Sequence, residues 1–207
     1  MLILEQYGIK LCRVQKEDIE LIRKWRNQKC VSEYMEYKKH ITRWAQRKWF
    51  KKINNKFNYF FIIETEGKKV GVINVKNYNE ALGFGEGGIF IGDQNYINSF
   101  VSVYSTLCLL NVTFMKLNLK KSVIKILRNN YRAIQYNKLI GYKLLQNQDN
   151  VENQLYELTI EDYIKYGARL NKAATILNKN QSTLHYSGIV SDLNIDAINQ
   201  LLLNNTI

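Results

Sequence analysis

Apolar residues change their spacing repeatedly along this 207-residue chain, between the alternation typical of strands and the three- to four-residue spacing typical of helices. In chain order the segments predict β-α-α-β-β-β-α-β-α-β-β, followed by two more helices. The predicted strands are 9–14, 57–64, 70–78, 88–91, 123–127, 142–145 and 154–160, and the predicted helices are 16–27, 42–53, 99–117, 131–140, 162–178 and 192–204. This mixture predicts an α+β fold.

The composition fits one globular domain with a short appendage. Apolar residues make up 46% of the chain and charged residues 23%, which excludes bulk disorder. Proline is absent and glycines number only 11, so a tightly turned all-β design is disfavoured. Apolar runs are too short for a membrane span, and the first residues lack the features of a signal peptide. We expect a domain over residues 1–165 and a helical extension over 166–207, which is a candidate homodimer interface.

The cysteines and histidines indicate a reducing compartment and no metal. Cys12, Cys30 and Cys108 lie far apart, and their odd number argues against a disulfide framework. His40 and His185 lack the spacing of zinc ligands. We therefore expect a cytoplasmic protein without a metal site.

Positive charge is concentrated near the N-terminus. The net charge is +12, and residues 1–60 carry 15 Lys and Arg against 6 Asp and Glu, whereas residues 61–207 carry 15 against 12. Such a block is typical of proteins that bind nucleic acid or an anionic membrane, but a site for a polyanionic small molecule needs the same field. Composition alone leaves these alternatives open.

One local motif resembles a known family. Asn130-Tyr131-Arg132-Ala133-Ile134, followed by Gly141-Tyr142, resembles the N-x-[RK]-A-I and G-[FY] signature of the GNAT acetyltransferases. The predicted element order, with a long helix after the fourth strand, is similar to theirs. The resemblance implies a mixed, mostly antiparallel sheet flanked by helices on both faces, and direct transfer of an acetyl group from acetyl-CoA to an amine. It also places Asn130 beside the cofactor.

A second segment is similar to one branch of that family. The sequence 22–27, then 32–35 and an amphipathic helix from Thr42, resembles the GNAT enzymes that acetylate nucleotide-linked amino sugars, including those of pseudaminic-acid synthesis. The candidate substrate-binding residues are Trp25, Arg26, Asn27, Tyr34 and Met35. Aromatic and thioether groups can hold a base or a sugar, and a guanidinium can bind a diphosphate bidentately. The alternative is that the tryptophan is a core residue and the arginine a charge at a helix C-terminus.

The chemistry of acetyl transfer requires a base, because an amine attacks only after it loses a proton. Glu86 is the candidate base, and the alternative is a solvated carboxylate in a glycine-rich loop. The resemblance implies that the backbone of Ile89, Phe90 and Ile91 bonds the pantetheine arm and that an N–H of this strand stabilises the thioester oxygen.

The chain departs from the family at two positions. The usual pyrophosphate loop contains glycines, whereas residues 96–102 contain neither glycine nor arginine. Asn98, Ser99 and Phe100, at the start of the following helix, are the candidates to hold the phosphates. The usual tyrosine acid, seven residues after Asn130, is replaced by Asn137, which we expect to donate a hydrogen bond to the departing sulfur.

The leading hypothesis is an acetyl-CoA-dependent N-acetyltransferase that acts on a nucleotide-activated amino sugar. Both substrates are polyanions, which accounts for the basic N-terminal region and disfavours nucleic acid as the partner. The alternatives are acetylation of a protein N-terminus or a small amine, and a degenerate GNAT fold that serves as a binding module.

Overall fold

The computed structural model describes residues 2–79, 81–116 and 119–188. Within these ranges nine strands form one sheet, in the order β7-β8-β6-β5-β4-β3-β2-β1-β9. Only β5 and β6 pair in parallel; the other neighbours are antiparallel. The strands are β1 (Ile3–Gln6), β2 (Ile9–Arg13), β3 (Tyr59–Thr65), β4 (Lys68–Asn79), β5 (Phe84–Ile91), β6 (Lys121–Leu127), β7 (Lys143–Leu144), β8 (Asn153–Thr159) and β9 (His185–Ser187).

Helices connect the strands and cover both faces of the sheet. They are α1 (Ile19–Arg26), α2 (Lys29–Ser32), α3 (Arg43–Ile53), α4 (Val101–Lys116), α5 (Tyr131–Ile140), α6 (Ile160–Asp162) and α7 (Ala168–Leu177), and a π-helical turn, Tyr163–Gly167, joins α6 to α7. In the described part of the chain, no helix is both long and apolar enough to cross a membrane. The mostly antiparallel sheet with helices on both faces is the predicted fold class.

Most predicted elements are confirmed, and Thr42 caps α3 as expected, because its Oγ1 accepts a hydrogen bond from the Ala45 N–H at 3.2 Å. The predictions missed β1, α2 and β9, and they began β5 four residues late, at 88 rather than at Phe84. The predicted helix 162–178 starts earlier, at Ile160, and its first turns are α6 and the π-helical turn. The predicted helix 192–204 lies outside the described residues.

Two apolar clusters hold the helices against the sheet. The larger one joins α4, α5 and α7 to one face, where Ile73 and Val75 of β4 are buried. The smaller one joins α1 and α3 to the other face, where Val72 of β4 and Ile62 of β3 are buried. Because neighbouring strand residues point to opposite faces, one strand supplies both clusters.

Residues 166–188 contribute to the larger cluster through Ala174 and Leu184, and β9 pairs with β1. A buried hydrogen-bond network adds to this packing: Asn111 of α4 donates to Asn171 of α7 at 3.1 Å and accepts from the Tyr163 hydroxyl at 2.6 Å. Buried polar groups are costly when unpaired, so the network fixes α7 against α4. The predicted division at residue 165 remains a prediction, whereas these contacts tie the described part of the extension to the sheet.

We expect Leu184→Ala to lower the free energy of unfolding by about 2–5 kcal/mol, since it removes a fully buried side chain from the core. Leu177→Ala is the matched control, because that side chain is 66% exposed, and its effect should stay within about 0.5 kcal/mol. Chemical denaturation of both variants measures the difference. Equal effects of the two substitutions would contradict a structural role for this segment.

Candidate active site

Strands β5 and β6 separate part of the way along their length. They pair in parallel from Phe84 to Gly87, which lies opposite Ile124. Residues 88–91 continue along β4 without β6, and β6 continues along β8. The backbone of Ile89, Phe90 and Ile91 therefore faces a gap in the sheet, which we call the strand fork. An extended amide chain can add its hydrogen bonds to such an edge, so the predicted cofactor-binding backbone lies where it can act.

The loop that follows β5 is held by a residue of α5. Arg132 donates one hydrogen bond to the Asn98 Oδ1 and another to the Ile97 carbonyl, both at 2.7 Å. The loop itself contains no arginine, so the guanidinium that contacts it comes from another element, α5. In the sequence, Arg132 was identified only as part of the Asn130 motif. Its position in the first turn of α5, which begins just after β6, was the signal that could have placed it near the site.

The first turn of α4 lies directly after this loop. The Ser99 Oγ accepts from the Val101 N–H at 3.3 Å, so the predicted phosphate-binding serine already bonds one helix N-terminal donor. Phe100 is exposed and stacks on Tyr104, with the ring centroids 5.9 Å apart. The large Phe100 ring lies where the family usually has a small residue. The feature that remains to attract an anion is the positive N-terminal end of α4.

Helix α5 turns two predicted site residues toward its own backbone. The Asn130 Oδ1 accepts from the Ala133 N–H at 3.2 Å and caps the helix, and the Asn137 Nδ2 donates to the Ala133 carbonyl at 2.8 Å. The neighbouring Tyr136 donates its hydroxyl to the Ser102 carbonyl at 3.1 Å, and burial raises its pKa well above the ordinary value. Tyr136 thus ties α5 to α4 and packs against the larger apolar cluster.

Glu86 lies inside β5 rather than in a loop. Its Oε1 is 2.8 Å from the Lys76 Nζ, its Oε2 accepts from Asn77 at 3.2 Å, and the side chain is only 13% exposed. Strand alternation places Glu86, Gly88 and Phe90 on the same face, where the Asn74 side chain of β4 lies beside Gly88. The alternative of a solvated loop carboxylate is therefore wrong, because β5 starts before Gly88, at Phe84.

Arg26, at the end of α1, lies over the Phe90 end of this face. Its Cζ is 5.9 Å from the centre of the Phe90 ring, and burial lowers the pKa of the guanidinium. Its Nε is buried without a hydrogen-bond partner, and no ion pair joins Arg26 to a carboxylate among the described residues. A half-buried cation without a counterion attracts an anionic group from a ligand.

The remaining substrate-binding candidates take different positions. Trp25 is 6% exposed in the smaller apolar cluster and packs against Gly92, so it offers little surface to a ligand. Asn27 donates to the Ile41 carbonyl at 3.0 Å and accepts from the Ile41 N–H at 2.8 Å, which holds the two ends of the intervening segment together. Tyr34 is exposed on that segment.

Met35 is half-buried on the same segment. The segment reaches the fork through Cys30, whose Sγ accepts from the Gln94 Nε2 at 3.8 Å, just beyond β5. The structure therefore brings Arg26, Phe90 and Glu86 to one face of the sheet. It also brings the segment between Asn27 and Ile41 to the end of β5.

Sequence comparison supports one family. Residues 9–143 match the family described as acetyltransferase (GNAT) domain. No curated protein sequence matches the chain.

Solved structures share the fold at low sequence identity. FdhC, a nucleotide-linked sugar GNAT, has a TM-score of 0.68 at 19% identity, with 81% of this chain and 96% of that chain covered. Spermidine N-acetyltransferase from Vibrio cholerae in complex with CoA and spermine has a TM-score of 0.66 at 15% identity, with 76% and 98% covered. RimL, a ribosomal L7/L12 α-N-protein acetyltransferase in complex with CoA, has a TM-score of 0.65 at 12% identity, with 75% and 96% covered.

We expect Gly92→Ala to lower the free energy of unfolding by about 1–3 kcal/mol, because the added Cβ would lie 2.2 Å from the Trp25 Cγ and would push α1 off the sheet. Gly88→Ala is the comparison: its Cβ would lie 3.1 Å from the Asn74 Oδ1, a side-chain atom that can move. Thermal unfolding of the two variants measures the effects. A Gly92→Ala protein as stable as the wild type would contradict the close packing of α1 on the fork.

Proposed function

We propose that this chain, which belongs to the GNAT family of acetyltransferases, acetylates the amino group of a nucleotide-linked sugar. The activity is acetyl-CoA-dependent N-acetylation, and the acceptor is the proposed part. The observation that carries it is the half-buried Arg26 beside Phe90, whose buried Nε has no hydrogen-bond partner, on the face that also presents Glu86. A diphosphate is an anionic group whose geometry suits a guanidinium.

Acetyl-CoA supplies an acetyl group activated as a thioester. The proposed residues for it are the backbone of Ile89, Phe90 and Ile91 along the fork, and the start of α4 with Asn98, Ser99 and Phe100. Two features of the described structure fit a phosphorylated ligand despite the missing glycines: the positive end of α4, and the Arg132 guanidinium beside Asn98. Asn130, at the start of α5, completes the proposed set.

The face of β5 that carries Glu86 and Phe90 is the proposed place for the attack of an amine. Glu86 is the proposed base, because it is mostly buried, lies on the same face as Gly88, and is kept in place by Lys76 and Asn77. An N–H that faces the gap would donate to the oxygen that becomes negative during the attack. The Asn137 amide carries two N–H groups, of which one donates to Ala133, so the other is available to the departing sulfur.

The charge at the acceptor face argues against a polyamine acceptor. Lys76 is paired with Glu86, whereas Arg26 has no carboxylate partner among the described residues, so its guanidinium would repel a cationic acceptor. The sugar acceptor also agrees with FdhC, a nucleotide-linked sugar GNAT with the same fold.

We propose a cytoplasmic homodimer, in which residues 166–207 contribute to the interface; light scattering of the full chain gives its mass.

We expect Arg26→Gln to raise the KM for a UDP-linked amino sugar by about ten- to a hundredfold, because a hydrogen-bonded charge contributes about 1.5–3 kcal/mol. The KM for acetyl-CoA should not change. Arg26→Lys keeps the charge but loses the planar fork, so it should restore only part of the affinity. Thiol release from acetyl-CoA measures the kinetics of the wild type and of both Arg26 variants. Lys52→Gln, on the exposed face of α3, is the control. Higher kcat/KM with spermidine or an N-terminal peptide would overturn the sugar assignment.

We expect Glu86→Gln to lower kcat by about 10²–10⁴, the usual contribution of a positioned base, with little change in the KM for either substrate. The carboxamide keeps the size and one hydrogen-bonding oxygen, so the variant should fold normally. Glu161→Gln, at an exposed residue of α6, is the matched control. An unchanged kcat in the Glu86 variant would remove this residue as the base and leave the fold and the acceptor assignment intact.

A further inference from the structure

A second candidate site lies away from the strand fork, between α3 and the N-terminal end of α1. It is a cavity of about 300 Å³, at the lower end of the range for small-molecule sites. Its lining residues are Lys16, Ile19, Glu20, Arg43, Gln46 and Arg47. None of them belongs to β5, β6, α4 or α5, so the cavity is built from different elements than the proposed acetyl-transfer site.

The cavity is positively charged. Lys16, Arg43 and Arg47 contribute three cations, and the single lining carboxylate, Glu20, already accepts two hydrogen bonds from Arg23, at 2.7 and 2.9 Å. Arg43 approaches Glu20 only at 3.8 Å. In the described ranges, no ion pair engages Lys16 or Arg47. Two cations of the cavity are therefore free to bind an anion.

The third feature is a buried amide without a partner. Gln46 is 4% exposed, and its Nε2 makes no hydrogen bond within the described residues. An unsatisfied buried donor of this kind is destabilising, and a bound acceptor oxygen removes that cost. Arg43, Gln46 and Arg47 recur at helical spacing on one side of α3, so the amide and both guanidinium groups line the same wall.

The position on α3 adds to the attraction. Arg43 is the first residue of the helix after the Thr42 cap, so the cavity lies at the positive end of an 11-residue helix. At about 300 Å³ the cavity is larger than a single phosphate group needs. We propose that this cavity binds a compact polyanion of the diphosphate class, with the Gln46 amide as the buried donor and Arg43, Arg47 and Lys16 as the charges.

Titration calorimetry with inorganic pyrophosphate tests the proposal on the full chain, in a buffer without phosphate and with CoA present at saturation, so that the fork is occupied. We expect the wild type to bind, and Gln46→Leu to bind at least about tenfold more weakly, because one hydrogen bond to a charged group is lost. Arg47→Gln should weaken binding similarly, and Lys52→Gln, further along α3, should not. Gln46→Leu should retain the wild-type unfolding temperature or exceed it, since it removes an unsatisfied buried donor.

Two results would overturn the proposal: no binding of pyrophosphate at millimolar concentration, or equal affinities of the wild type, Gln46→Leu and Arg47→Gln. Because Arg47 is exposed, its variant keeps the test decisive even if the Gln46 variant unfolds. Parallel titrations with UDP and with single phosphate separate the sources of the diphosphate. Tighter binding of UDP in a Gln46-dependent manner assigns the cavity to a nucleoside diphosphate, and equal binding of UDP and pyrophosphate assigns it to the diphosphate alone.

Discussion

The separation of β5 from β6 after Gly87 is the constraint on which the rest of the site depends. Backbone N–H and C=O groups inside a sheet normally have partners, so a strand that leaves its neighbour exposes groups that need water or a ligand. Three contacts hold the elements around the end of β5. Trp25 of α1 packs on Gly92, Arg132 of α5 donates to the loop before α4, and Cys30 of α2 accepts a hydrogen bond from Gln94. A site built largely from main-chain atoms tolerates the apolar side chains of Ile89 and Ile91, which serve the core instead.

The cations near α1 and α3 differ in whether they have a carboxylate partner. Arg23 is bonded to Glu20, which raises the pKa of the arginine and lowers that of the glutamate, and Lys69 of β4 is bonded at 2.6 Å to Asp18, just before α1. The Lys69–Asp18 pair links β4 to the start of α1, whereas the Arg23–Glu20 pair lies within that helix. Arg26, Lys16 and Arg47, in contrast, have no carboxylate partner among the described residues, and they lie at the fork and at the α3 cavity. Only this second group supports a role in binding anions.

The local elements could be predicted because their signals are local: the Thr42 cap, the motif at Asn130 and the β3–β4 turn each act over a few residues. Strands β1 and β9 could not, since three or four residues form a strand only when a neighbour supplies hydrogen bonds. Glu86 was placed outside its strand because its glycine neighbours resemble a loop. The contact between the Arg132 guanidinium and Asn98 depends on how α5 packs beside the start of α4. The spacing of residues in the sequence does not reveal that packing.

The replacement of the usual tyrosine by Asn137 is easier to understand from the helix than from the motif. Tyr136 cannot take over the role, because its hydroxyl is bonded to the Ser102 carbonyl and because it lies about 100° around the helix from its neighbour. Burial also raises the pKa of this phenol, which makes it a weaker acid than an exposed tyrosine. A thiolate, with an ordinary pKa of about 8.5, is a stable leaving group near neutral pH and does not require a strong acid. We propose that a hydrogen bond from the second N–H of Asn137 assists its departure, which shifts the demand on the site to the removal of the proton from the attacking amine.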